Sequence, residues 1–326
     1  MNRNTKLKQD DIETVRKIFF DGRCHTRMEL CAMCGISTGG MANILKELLL
    51  SGQILYVADV PSRTGRHAKQ YQLNPEYCHI GMLACIRNGD DFCFEIESRK
   101  LDGKLVLQQK LSSKTGSVQD LRHALATLLE KDQQISVLAI SVPGVCMHGT
   151  IGVCDLPLLA NTDLHDIPEL EGVQWVNEND ANAMCIGLVH KIPDVDTAAL
   201  VFQPAAEMIG CGIVIHGRLY NGTSHQAGEM RYLPWGTEDQ KKETTKRDPA
   251  RMLAESIGAI AAVLDPDLIA WTSDLIKEDI QSASFGLQLD PHIQLVHVKD
   301  KDSLLWTGLY EIGRDILKNR KMGEER

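Results

Sequence analysis

The 326-residue chain contains no run of about 18 apolar residues, the least that a membrane-crossing helix needs. A transmembrane span is therefore not expected. The first residues, MNRNTKLKQDD, are polar and lack the apolar core of an export signal, so a cytoplasmic protein is expected. No segment repeats at a solenoid period and no tract is compositionally simple. Cysteine stops at Cys211. The ten cysteines, in a chain without an export signal, are expected as reduced thiols. Cys31 and Cys34 have C-x-x-C spacing, with Cys24 and His25 nearby, but no second pair follows. Inside a short amphipathic helix, where small buried residues are wanted, they read as structural thiols and not as a metal site.

The remaining composition is that of a globular protein, with 43% apolar and 24% charged residues, and the length allows two or three domains. The net charge of −9 is unevenly divided. Residues 1–75 carry eleven Lys and Arg against seven Asp and Glu, a balance of +4 that leaves −13 for the rest. A basic head on an acidic body suits a nucleic-acid contact confined to one end.

The stretch that organises the chain is LCAMCGISTGGMANILKELLLS, Leu30 to Ser51. Gly35 breaks a first helix, and Ser37 and Thr38 can accept N–H groups at the start of a second. Met41, Ile44, Leu45, Leu48 and Leu49 recur at three- and four-residue spacing, which predicts one buried face. Ahead of them, Asp10 to Phe20 predicts an amphipathic helix, and Thr26 with Glu29 a capping box. This is helix-turn-helix spacing, with the second helix as the groove-reading one. Two short strands follow, Gln53 to Val57 and Gln70 to Leu73. The loop between them carries Arg63, Arg66 and Lys69, which suit phosphates or a narrow minor groove. The expectation is a winged helix-turn-helix over residues 1–75. Ser37, Thr38 and Asn43 are its candidate base readers, Gly39 and Gly40 allow close backbone approach, and Lys46 reaches the backbone of the DNA.

Beyond Asn74-Pro75 strands and helices alternate, predicting two α/β lobes around a cleft. Asn88-Gly89 predicts a hairpin between IGMLACIR and FCFEIES. Strands are expected at Lys104–Gln109, Ile135–Ser141, Val173–Val176, Ala198–Phe202, Gly212–His216, Leu268–Trp271 and Ile293–Val298. Helices are expected over Val118–Glu130, from Asn179 to His190, from Asp248-Pro249 to Leu264, and from Ser303 to about Lys318. The charged segment from Thr237 to Arg247 reads as an exposed loop. Helix capping accounts for one of Asn179 and Asp180, not easily for both, and Glu229 could be a solvated carboxylate after a Gly-rich turn.

The head, the phrase TGRHAKQYQLNP, the phrase VPG at Val142 to Gly144, NENDANA at Asn177 to Ala183, and GCGIVIHGRLYNGTSHQAGE at Gly210 to Glu229 together resemble the ROK family. That family holds sugar-responsive transcriptional repressors and sugar kinases on an actin/hexokinase-like fold. The resemblance implies a body over residues 76–326. Its first lobe would span about 76–192 plus a C-terminal helix at 303–320, and its second about 193–302. It implies a sugar or sugar-phosphate site at Gly144, Asn179, Asp180 and Glu229, with Asp180 in the place of the kinase base.

The chain departs from the kinase pattern. The D-x-G-G-T phosphate loop is replaced by Leu83-Ala84-Cys85-Ile86-Arg87, with neither glycine nor acid. The second glycine loop reads Ala206-Glu207-Met208-Ile209-Gly210, where Glu207 would repel phosphate. Trp271-Thr272 stands where a glycine pair approaches the nucleotide. Met230-Arg231-Tyr232 follows Glu229 where zinc-binding members place a histidine, so no tetrahedral metal site is expected. The expectation is a non-enzymatic regulator, a repressor of carbohydrate-related genes without cofactor or metal. It would bind an operator in double-stranded DNA as a homodimer or tetramer. A regulator whose cleft answers to a protein partner, and a sugar kinase with an added head, are the alternatives.

Overall fold

The computed structural model describes residues 3–61, 67–88, 91–192, 194–205, 208–278 and 289–320. The N-terminal part holds α1 (Arg3–Ile18), β1 (His25–Thr26), α2 (Arg27–Cys34), α3 (Thr38–Leu50), β2 (Ile54–Pro61) and β3 (His67–Leu73). The local chemistry sets these boundaries. Thr26 accepts the Glu29 N–H while the Glu29 carboxylate takes the Thr26 N–H, the expected capping box. Gly35 closes α2 at φ +69°, a left-handed conformation that favours glycine. Ser37 caps α3 by accepting the Gly40 N–H, so of the two expected capping hydroxyls only Ser37 serves. Ile12, Val15, Phe19, Leu30, Met41, Ile44, Leu45, Leu48 and Ile54 form one core. Leu49, expected on that face, is exposed. Its direction, one residue beyond Leu48, carries it off the stripe. Strands β2 and β3 pair antiparallel, and β1, which the sequence reading did not find, adds to β3.

The body carries two five-stranded sheets of identical topology. The first comprises β4 (His79–Asn88), β5 (Asp91–Lys100), β6 (Leu105–Ser113), β7 (Ile135–Val142) and β11 (Gln174–Asn179), in the order β11-β7-β4-β5-β6. Helix α4 (Val118–Lys131) packs on it. The second comprises β12 (Ala198–Gln203), β13 (Gly210–Ile215), β14 (Arg218–Leu219), β15 (Leu268–Ser273) and β16 (Gln294–His297), in the order β14-β13-β12-β15-β16. In each, the first three strands form an antiparallel meander, and the fourth and fifth run parallel to the first. Helices α5 (Asp180–Lys191) and α8 (Lys301–Asn319) cross between the sheets and join both to one core. Their contact is close. A Cβ on Gly308 would lie 1.7 Å from the Ala183 carbonyl oxygen, and one on Gly187 2.1 Å from that of Leu304.

Three sequence expectations need correction. The segment Thr237 to Arg247 is not a loop. Thr237 and Gln240 form a capping box that starts α6 (Glu238–Arg247), which packs on α7 (Pro249–Leu264). The T-x-x-Q pattern carried that signal, hidden by the charge of the segment. Second, the stretch between β7 and β11, to which the sequence analysis assigns no element, is structured. A small sheet of β8 (Gly144–Met147), β9 (Thr150–Cys154) and β10 (Thr162–Asp163) intervenes. Third, Cys31 and Cys34 are half-buried, not fully buried. The hairpin expected at Asn88-Gly89 has its tip outside the described residues, but its ladder runs from His79↔Lys100 to Asn88↔Asp91.

Candidate functional site

The parallel strands of both sheets end at one cavity of about 450 Å³. Ile86 from β4, Ser141 from β7, Asn179 from β11, Phe202 from β12 and Asp274 after β15 line it. Ligands in α/β folds sit at the carboxyl ends of strands, where loops leave room and helices begin. Gly144, Asn179, Asp180 and Glu229, far apart in sequence, all line this cavity.

Their side chains differ in what they have free. Asn179 is the N-cap of α5. Its Oδ1 accepts the N–H groups of Ala181 at 2.9 Å and Asn182 at 3.3 Å, and its Nδ2 donates to the Gly144 carbonyl at 3.0 Å. Its amide is therefore occupied by the fold, and Gly144 is buried beside it. Asp180 spends one oxygen on the Ala181 N–H at 2.8 Å. Burial pushes its carboxyl up to about 6, against the lowering effects of the Ala181 N–H and the Lys301 charge. Desolvation thus outweighs the positive end of α5, which favours carboxylate there. Glu229 follows Gly228, whose backbone (φ +84°) passes so close to β13 that a Cβ would sit 1.8 Å from the Cys211 carbonyl oxygen. One Glu229 oxygen pairs with Arg231 at 3.0 Å.

The cavity contains cations that the sequence reading did not assign. Arg231 is held through its own carbonyl, which accepts the Lys241 ammonium at 2.5 Å. Lys241 is buried on α6, so the missed helix is what fixes this edge of the site. Lys301, the first residue of α8, donates to Asp274 at 2.6 Å and lies 4.4 Å from the centre of the Phe202 ring. Arg87 donates to the Asp155 carbonyl at 3.1 Å. An alternating arrangement of carboxylates and cations around an apolar wall can hold a polyhydroxylated ligand by several directed hydrogen bonds. Glu229, Asn179 and Gly144 also wall a gap of about 10 Å³, large enough for roughly one water. Beyond it lies an open groove of about 500 Å³ with Trp175, Asn177, His148 and His225.

The stretch expected to stand in place of a phosphate loop is regular in structure. Leu83 to Arg87 are not a loop but continue β4, paired residue by residue from Leu83↔Ile96 to Arg87↔Phe92. Through Ala84 the strand is paired on both sides, from Cys85 on only with β5, and Cys85, Ile86 and Arg87 reach the cavity. In the second loop Met208 and Gly210 line the cavity and Ile209 is buried, while Ala206 and Glu207 lie outside the described residues. Trp271 is buried in the second sheet and stacks on His297 at 3.9 Å. Among the described residues, no group of three or more His, Cys, Asp and Glu side chains is placed to hold a metal ion. Burial pushes the Cys85, Cys146, Cys185 and Cys211 thiols up, which keeps them protonated.

The head presents a separate surface. Ser37, Thr38, Gly39, Asn43 and Lys46 are exposed along α3, opposite its buried stripe, and Gly40 is half-buried under Ile36. Lys69 is exposed on β3, 5.7 Å from the centre of the Tyr56 ring. Arg63 and Arg66 lie outside the described residues.

Comparison with solved structures places this architecture. A ROK family transcriptional regulator, a homolog of the E. coli Mlc protein, superposes with a TM-score of 0.63 at 16% identity. That match covers 96% of this chain and 98% of the regulator. The fold is the ROK fold. A ROK family protein from Streptococcus pneumoniae in complex with sucrose matches at 19% identity and a TM-score of 0.57, over 74% of this chain and 99% of its own. A ROK family glucokinase from Streptomyces griseus, in complex with glucose and AMPPNP, matches at 15% and 0.56, over 73% and 99%. No protein-family model and no curated protein sequence matches the chain. The doubled sheet topology of the body is thus that of the ROK sugar-kinase structures.

Proposed function

We propose that the chain is a DNA-binding transcriptional regulator. Residues 1–75 are its winged helix-turn-helix, and a ROK body over 76–326 is its sensor. The observation that carries this reading is coverage. The glucokinase is matched almost end to end by about three quarters of this chain, whereas the regulator spans nearly all of it. We take the part beyond a kinase-sized body to be the head. Its α3 exposes Ser37, Thr38, Asn43 and Lys46, and the β2–β3 hairpin follows at once. A lone head offers little surface, so a homodimer or tetramer on a symmetric operator follows.

The body senses and does not phosphorylate. Leu83 to Arg87 run as an extended strand without glycine or acid, not as a loop of converging N–H groups, which supports reading Asp180 as a base without a phosphoryl donor beside it. The ligand class is a sugar or sugar phosphate, held through the free oxygens of Asp180 and Glu229. Its binding would shift lobe closure and with it the spacing of the two heads, giving repression of carbohydrate-related genes in a cytoplasmic protein. One observation favours a second reading, in which a protein partner replaces the sugar. Asn179 is used up by capping and one Glu229 oxygen by Arg231, and the smaller gap beside them holds only about one water.

Selection of bound fragments from a random duplex pool by the full-length protein tests the reading. Enrichment of a two-fold symmetric site supports it. Weak binding that disappears as salt rises, with no enrichment, refutes it. Sugar-dependent ATP consumption by the same preparation would refute the non-enzymatic body.

A further inference from the structure

Helix α8 touches both the cavity and the head. At its start, Lys301, Asp302 and Leu305 line the cavity, and Lys301 is tied to Asp274. Midway, Gly308 meets α5 so closely that the two helices must move together, and α5 begins at Asp180. At its end, the last carbonyls of a helix have no partners within the helix. Here the head supplies one. Arg16 of α1 donates from Nη1 to the Leu317 carbonyl at 3.0 Å, from Nη2 to that of Lys318 at 3.1 Å, and also to that of Arg320. In return, Arg314 of α8 donates to the Phe20 carbonyl at 2.6 Å. Neighbouring residues divide between the two parts, Phe19 in the core of the head and Phe20 in the core of the body.

We propose that α8 is a coupling rod between the cavity and the head, and that Arg16 is the residue through which the head follows it. Nineteen residues make a rod about 28 Å long, stiffened by its own backbone hydrogen bonds. Arg16 is only 7% exposed. A buried guanidinium that loses its acceptors is left with an unsatisfied charge, so α1 tracks the α8 carbonyls and does not part from them. The partial negative charge at the helix end adds to the pull. Movement of Lys301 at the cavity is therefore delivered to α1, which packs against α3. The regulatory purpose of the rod rests on the function proposed above, but the coupling itself does not.

The test uses amide exchange in the full-length protein, with no ligand and no DNA. Lys301→Met removes the cavity ion pair while keeping side-chain length. The expected result is faster exchange, by roughly threefold or more, in the last turn of α8 and in residues 12–20 of the head. With Arg16→Gln added, the effect should still reach the end of α8 but no longer the head. Exchange that changes only around the cavity overturns the coupling. If Lys301→Met does not fold, Asp274→Asn breaks the same pair from the other lobe. DNA affinity separates the two layers. On a selected fragment, Lys301→Met should change affinity by about fivefold or more, and by less than about twofold in the Arg16→Gln background. A change in exchange that reaches the head with DNA affinity unaltered would support the rod and overturn its regulatory purpose.

Discussion

The same substitution at two helical glycines should have opposite signs. In Gly308→Ala, the new methyl would lie 1.7 Å from the Ala183 carbonyl oxygen, which belongs to the backbone of α5 and cannot rotate away. An ordinary contact needs about 3.4 Å, so the helices must separate by more than an ångström in the most closely packed part of the core. Overpacking costs about 1–3 kcal/mol, and more where backbone must move. Alanine regains about 1 kcal/mol of helix propensity. The net loss should be about 2 kcal/mol. In Gly39→Ala, nothing lies within 4 Å of the added methyl, so only the propensity gain of about 0.5–1 kcal/mol remains. Denaturant unfolding followed through Trp306, which is buried on α8 two residues before Gly308, reads the first variant, and amide exchange in α3 reads the second. The midpoint should fall for Gly308→Ala with its slope unchanged, and exchange in α3 should stay or slow for Gly39→Ala. A Gly308→Ala midpoint at or above the parent value would refute the close α5–α8 contact and with it the argument that the two helices move as one.

Three further outcomes follow from the site and the head. The Asp180 carboxyl keeps its proton to about pH 6 in the folded chain, against 3.8 unperturbed, so the folded state binds more protons between those values. Stability should therefore fall as pH rises through that window and level off above it. Asp180→Asn should remove the decline, its advantage over the parent growing from pH 4 to pH 7 by on the order of 2 kcal/mol in thermal or denaturant unfolding. A constant difference across that range would refute a proton held by burial. Thr26→Ala removes the acceptor of the Glu29 N–H and should cost about 1 kcal/mol, seen as faster amide exchange in α2 and α3 with the body unaffected. Lys46→Ala should weaken binding to all duplex sequences alike and lower the salt slope by about 1. A loss confined to one base pair would instead make Lys46 a base reader.

Sequence alone determined the local structure of the head. Gly35, Ser37 and the Thr26–Glu29 box act through residues four or fewer apart, and the stripe from Met41 to Leu48 is a property of one helix. The alternation of strands and helices in the body was legible for the same reason. A capping box at Thr237 and Gln240 was equally local, yet the charge of its segment concealed it.

Tertiary structure decided what those pieces do together. The matching topology of the two sheets has no counterpart as a sequence repeat, because strand order is set by pairing between distant segments. Only the fold shows that Asn179 also donates to the Gly144 carbonyl, and that Lys241 and Lys301 secure the cavity walls through Arg231 and Asp274. Those roles join groups that lie 10 to 35 residues apart in the chain. The joint between Arg16 and the end of α8 spans some three hundred residues. An arginine in an amphipathic helix reads as surface charge, and burial against partnerless carbonyls exists only once both ends of the chain have met.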